Sequence, residues 1–291
     1  MVVVQLGFLL LVFSTLLTCC SVPNKPTIPA QTFSLTQEER AWMQEFFRDL
    51  LFKHPGAYTL FGTKPISTSC VYHLTEEDKK ELQEYYESLS KEERSKMRKK
   101  RYDYDANYER WQKIKDRFPV RQYLFGSFPS IFDETTEIVL FVNIEETLRV
   151  LLNYYDDFRR VLGHDFDPLQ VIFEVENKDS EFWQTVMQHH ALQGILLGFG
   201  RDNSWFFYWE LQTKEDKGHI RNFLTSLPLK YAEDADIEDY SPENFLLPAF
   251  GIYGLHSNTQ VIEQYKKERE QIKALYRGRD EVDVTLDWLT R

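Results

Sequence analysis

The apolar positions of this chain change period near its middle. After Thr36-Gln37-Glu38-Glu39, which has the form of a capping box, Met43, Phe46, Phe47, Leu50 and Leu51 recur at helical spacing. His54-Pro55-Gly56 should end that helix, because proline disfavours the helical conformation in the residue before it. Thr75-Glu76-Glu77-Asp78 predicts the start of a second helix and Ser90-Lys91-Glu92-Glu93 a third. The third is expected to reach about residue 118, with Tyr104, Tyr108, Trp111 and Phe118 on its buried side. Beyond Pro119 the pattern shortens. Residues 138–142 (IVLFV) read as a strand covered on both faces. Asn143 caps a helix carrying Leu148, Leu151, Leu152, Tyr155 and Phe158, and Gly163 ends it. Residues 171–175 (VIFEV) predict another strand, and Asp179-Ser180-Glu181 opens a helix with Phe182, Trp183, Val186 and Met187 on one face. Strand, helix, strand, helix predicts a βαβ unit. Residues 257–277 read as an amphipathic helix stopped by Gly278. Val282, Val284, Leu286 and Trp288 alternate with polar residues, as in an edge strand. The expected fold class is therefore α+β or α/β, a helical region 33–118 followed by a region 119–291 with a βαβ-containing mixed sheet and packed helices. The two regions need not be separate domains.

The N-terminus differs in kind. Residues 1–18 carry no charged side chain, and LGFLLLVF at 6–13 has the length of a signal-peptide apolar core. It is short for a spanning helix, which needs about 20 apolar residues. Leu17-Thr18-Cys19-Cys20 follows and resembles a bacterial lipobox, in which the cysteine thiol is lipidated and becomes the mature first residue. Cys20 is the expected lipidation site in preference to Cys19, which would place Thr18 at the position before the modified cysteine. The n-region lacks Lys and Arg, and an uncleaved anchor is the alternative; either reading exports the body. Acyl chains contribute about 0.8 kcal/mol per buried CH₂, so more than one chain anchors stably. Residues 21–32, with Pro23, Pro26 and Pro29, read as an extended tether.

Composition sharpens this picture in two respects. A net charge of −11 does not favour nucleic acid or anionic lipid as a generic partner. Of three cysteines, processing leaves only Cys70 in the body. Cys70 cannot form an internal disulfide, so in an oxidising compartment it is buried, paired between chains or reactive, and burial is the first expectation. Residues 91–101 hold seven basic and two acidic residues, which most simply form a solvated helix face.

Candidate chemistry is sparse. No cofactor or metal is expected, since no CxxC or HExxH spacing occurs. Adjacent His189 and His190 point about 100° apart on a helix and cannot share one ion. Cys70 and His73 lack an orienting group and an oxyanion segment. GILLGFGRDN at 194–203 is Gly-rich, but it is neither GxxxxGK[ST] nor GxGxxG after a strand. It reads as helix packing at Gly194 and Gly198, with Gly200 as a C-terminal cap. The segment KHPGAYTLFGTKPIS at 53–67 reads as an ordered loop. Its aromatic residues are expected to pack on 194–208, with Lys64, Arg201 and Asp202 at the edge of the contact as ligand-contact candidates or as a structural ion pair. No catalytic residue is assigned.

These two segments, with Leu247-Pro248-Ala249-Phe250, resemble those of an uncharacterised family of chlamydial proteins with lipoprotein-type signals. The resemblance implies export and a Gram-negative envelope, and it carries no activity. The expected function is a membrane-tethered envelope lipoprotein acting as a binding or structural module. It would be held to the inner or outer membrane by its N-terminal lipid, with the body in the periplasm or at the surface. The alternative is an exported enzyme of hydrolase type with a pocket near 53–67.

Overall fold

Thr36 opens the first helix as its sequence requires. Its Oγ1 accepts from the Glu39 N–H at 3.1 Å, and the Glu39 carboxylate accepts from the Thr36 N–H at 2.8 Å. The computed structural model of the chain describes residues 33–73, 75–90, 102–130, 135–212, 229–231, 240–249, 251–253 and 256–291. The expected signal peptide, Cys20, the expected tether 21–32 and the basic run 91–101 lie outside the described residues. The fold is α+β.

Helix α1 (Gln37–Phe47) runs into a π-helical turn (Arg48–Lys53), and α2 (Gly56–Phe61) follows. Strand β1 (Ile66–Tyr72), α3 (Glu76–Ser88), α4 (Tyr102–Ile114), β2 (Tyr123–Pro129) and β3 (Thr136–Asn143) complete the first stretch. Six helices come next: α5 (Ile144–Asn153), α6 (Tyr155–Leu162), α7 (Pro168–Phe173), α8 (Glu181–Gln188), α9 (His190–Leu196) and α10 (Arg201–Gln212). A small antiparallel pair, β4 (Leu229–Tyr231) and β5 (Gly251–Tyr253), precedes α11 (His256–Tyr276) and α12 (Glu281–Leu289). Among the described residues no helix is long and apolar enough to cross a membrane.

The run at 138–142 lies in the central strand of a three-stranded sheet ordered β1-β3-β2, antiparallel throughout. Its alternation sends Val139 and Phe141 to one face and Leu140 and Val142 to the other. On the first face α1, α2, α4, α11 and α12 contribute Phe46, Phe47, Tyr58, Trp111, Tyr265 and Leu286. On the second, α5 to α9 contribute Leu151, Phe158, Ile172, Trp183 and Leu192. The sheet is thus sandwiched between two helical layers.

Three expectations are corrected. Residues 171–175 are not a strand: Asp167 caps α7, its carboxylate accepting from the Leu169 and Gln170 N–H groups, with Pro168 in the first turn. A short β-branched run has no period of its own, and this cap decides it as a helix. Residues 282–288 are not an edge strand either. Asp280 caps α12 in the same way, and Val282, Leu286 and Leu289 form a buried stripe at helical spacing. The βαβ unit and the mixed sheet therefore fall away. Cys70 is only half-buried, on β1 beside Ile138 of β3.

Residues 33–118 and 119–291 are not separable. β1, from the first, pairs with β3, from the second, and Phe33–Arg291 forms one compact unit. The C-terminal helix is tied to the first by Arg40, which donates to Asp280 at 2.7 Å and Asp283 at 3.0 Å, and by a fork from Arg48 to Glu281 at 2.7 Å.

Candidate functional site

The segment 194–203 is a helix end followed by a helix start. The Gly198 N–H donates to Ile195 O at 3.1 Å and the Phe199 N–H to Gly194 O at 3.0 Å, which is the Schellman closure of α9. Gly198, at φ +75°, is its left-handed residue, so Gly198 and not Gly200 caps α9. Gly200 instead precedes α10. Gly194 lets α10 approach α9, since a Cβ there would lie 2.6 Å from Ser204 Oγ.

Two elements distant in sequence converge on this turn. The Tyr265 hydroxyl of α11 donates to Gly198 O at 2.9 Å, and Lys64 Nζ donates to Leu197 O. A Cβ at Gly198 would stand 2.2 Å from Tyr265 Oη and 3.3 Å from Pro65 Cδ. Gly198→Ala meets both this clash and the left-handed φ. It is expected to destabilise the body by at least about 1–2 kcal/mol, read as a shift of the denaturant midpoint without a change of slope.

Lys64 is not at the edge of the contact. It is fully buried, between α2 and β1, with its Nζ 4.9 Å from the centroid of the Phe199 ring. Among the described residues no carboxylate pairs with it. Burial pushes its ammonium down to about 7. The Leu197 carbonyl that it caps is one of those a helix C-terminus leaves unsatisfied. Segments 53–67 and 194–208 therefore do meet, through Lys64, Pro65, Leu197, Gly198 and Phe199.

Arg201 and Asp202 stand together at the start of α10 but do not reach Lys64. Arg201 forks onto Asp157 of α6, Nε to Oδ2 at 2.5 Å and Nη2 to Oδ1 at 2.9 Å, and its Nη1 lies 3.3 Å from Asp202. Hydrogen bonding to Asp157 raises the Arg201 pKa above its ordinary value. Asp157 is buried and Arg201 half-exposed. Of the three candidates, then, Arg201 and Asp202 form a surface ion pair anchored by Asp157, and Lys64 belongs to the interior.

Two cavities flank the Gly198 turn. An open cleft of about 350 Å³ has apolar walls from Pro65, Val150, Ile195 and Val261, with Thr63, Gln264 and Arg201 as polar groups. A second cavity of about 230 Å³ lies between α9 and α10. It is lined by Leu197, Phe199, Phe207 and Ala249, with His190, Gln193, Asn203 and Ser204 among its polar groups. The segments at 53–67, 194–208 and 247–249 thus come together here. Tyr58 donates from its hydroxyl to Leu246 O at 3.1 Å, and Ala249 reaches the second cavity.

Sequence reading missed Asp157, Tyr265 and Gln264. A lone aromatic in the charged stretch QYKKERE was the available signal for Tyr265. The two histidines serve the α9–α10 packing. His189 caps α9 and stacks on Tyr208 at 4.5 Å, and His190 meets Phe207 edge-on at 6.1 Å. A separate polar knot closes the strand ends at Glu137. Burial opposes its charge, but Lys178, Ser127 and His73 all bond to the carboxylate and hold it down to about 2. His73 is thereby committed to Glu137.

Comparison with family models, with curated proteins and with solved structures found no match for this chain.

Proposed function

We propose that this chain is a lipid-anchored protein of the bacterial envelope whose folded body is a binding module, with the cleft beside the Gly198 turn as its contact surface. The observation that carries the binding reading is the state of the charged groups. Arg201, on the cleft wall, is forked to Asp157, and Thr63 Oγ1 and Gln264 Nε2 donate to the buried Glu268 carboxylate at 2.7 and 2.8 Å, so the cleft presents apolar walls beside the hydrogen-bond-accepting oxygens of Thr63 and Gln264. Such a surface suits an apolar group carrying a polar handle, held by burial and oriented by Thr63 and Gln264. The anchoring reading rests on the apolar stretch 6–13 and on Cys20 after Leu17-Thr18-Cys19.

Anchoring is tested by fractionation. The full chain is expected in the membrane fraction and to resist extraction by high salt, and Cys20→Ser is expected to move most of it to the soluble fraction. A Cys20→Ser protein that stays with the membrane contradicts lipidation at that residue. The cleft is tested separately by a photo-crosslinking side chain at Val261. Discrete adducts are expected there and none from a control at Leu169, on the exposed face of α7; equal adducts from both positions contradict the cleft as contact surface.

A further inference from the structure

We propose that the cleft beside the Gly198 turn takes a small primary amine on an apolar body, its ammonium held between Thr63 and Gln264. The inference rests on the reading of that cleft as a contact surface and extends it to the chemistry of the ligand. Placement is the first ground. Thr63 and Gln264 both line the cleft, and Glu268, one turn beyond Gln264 on α11, is buried and bonded to both. Glu268 Oε1 accepts from the Thr63 N–H at 3.2 Å, from the Thr63 hydroxyl at 2.7 Å and from Gln264 Nε2 at 2.8 Å. The other carboxylate oxygen, Oε2, is buried with no hydrogen-bond partner among the described residues.

The second ground is the polarity that Glu268 imposes. A carboxylate only accepts, so it fixes the sense of every bond made to it. The single hydroxyl hydrogen of Thr63 is committed to Glu268, which leaves only lone pairs on that oxygen for a ligand. Gln264 turns its nitrogen to Glu268, and its Oε1 lies on the other side of the amide carbon. Two residues thus offer acceptors to the cleft. An ammonium brings three hydrogens and can satisfy both at once. A hydroxyl brings one hydrogen and a carboxylate none.

The third ground is charge and size. Arg201 is the cation on the cleft wall, but its fork is closed on Asp157 and its Nη1 lies 3.3 Å from Asp202, so it is not free to clamp an anion. Lys64 Nζ is turned to Leu197 O. An incoming carboxylate would meet the Thr63 and Gln264 oxygens and the Glu268 charge behind them, with no donor in return. Pro65, Val150, Ile195 and Val261 supply the apolar wall for the body of the ligand. A volume of about 350 Å³ is near the lower end of ligand pockets, which span roughly 300–1,000 Å³, and suits a small molecule.

The test uses the full chain and three photoreactive probes that share one body: para-benzoylbenzylamine, para-benzoylbenzyl alcohol and para-benzoylbenzoate. Each is irradiated with the chain at neutral pH over a range of concentrations, and adducts are located by peptide mapping. Labelling at 260–265 of α11 is read against labelling around the exposed Leu169 of α7, which removes any general attraction of a cation to the acidic chain. The amine is expected to saturate 260–265 at a concentration about tenfold or more below those of the alcohol and the acid. Thr63→Val keeps the shape of the side chain and removes one acceptor, and it should cut that advantage about fivefold. Equal half-saturation by the three probes, tighter labelling by the acid, or an advantage unchanged in Thr63→Val overturns the amine and leaves the cleft standing as a contact surface. Saturable labelling at 260–265 by none of the probes overturns the cleft reading as well.

Discussion

Lys64→Met is expected to stabilise the body at pH 6 by about 3 kcal/mol, with the gain shrinking by about 2–3 kcal/mol as the pH is raised to 9. Unfolded, the Lys64 ammonium keeps its proton up to about pH 10.5; folded, burial makes it release the proton near 7. Between those values the unfolded chain binds the extra proton. Stability therefore rises with pH through the window and is lowest below pH 7. The full gap corresponds to about 5 kcal/mol, against which the bond to Leu197 O returns about 1 kcal/mol. Methionine keeps the length of the side chain, loses that bond and escapes the cost of the buried charge. Denaturant titrations of both proteins at several pH values isolate the difference, since every other group titrates alike in the two. A variant no more stable than its parent, by a margin flat in pH, contradicts a desolvated Lys64.

The core gives the other large effect. Trp111 is fully buried and stacks on Phe46 and Phe118, each at 5.7 Å, with Phe47 and Phe125 edge-on. Trp183 fills the opposite helical layer, and its indole N–H donates to Val171 O at 2.7 Å. Trp111→Ala and Trp183→Ala should each cost about 3–5 kcal/mol. Because one sheet joins the two layers, both changes should lower the same single transition, seen alike by tryptophan fluorescence and far-UV circular dichroism. A variant in which one layer melts while the other survives contradicts the single unit formed by Phe33–Arg291.

The elements that were legible are those in which local signals agree. Thr36 and Glu39 close a capping box ahead of an apolar stripe, and Asn143 accepts from the Glu146 N–H at 3.1 Å to start α5 where the strand stops. The elements misread are those in which apolar order is ambiguous over a few residues. At 282–288, alternation and a helical stripe fit the same side chains, and Asp280 decides between them. β1 and β2 went unseen because ISTSCVY and YLFGSFP become strands mainly through pairing with β3, which no local pattern encodes. At the candidate site, 53–67 does meet 194–208, but through Lys64 and Pro65 rather than the aromatic residues that suggested it, for Tyr58 packs on Phe245 and Tyr265 and Phe61 on Tyr276 and Trp288. The partners were not legible. Arg201 finds Asp157 and the Gly198 turn finds Tyr265 through tertiary packing alone, and Lys64 looks like any surface lysine until its burial is known.

The central claim is that the body is tethered by a lipid. Intact-mass analysis of the mature protein purified from the membrane fraction tests it most directly. The expected product is a chain that begins at Cys20 and carries a diacyl- or triacyl-glyceryl group; an unmodified chain beginning at Met1 contradicts lipid tethering.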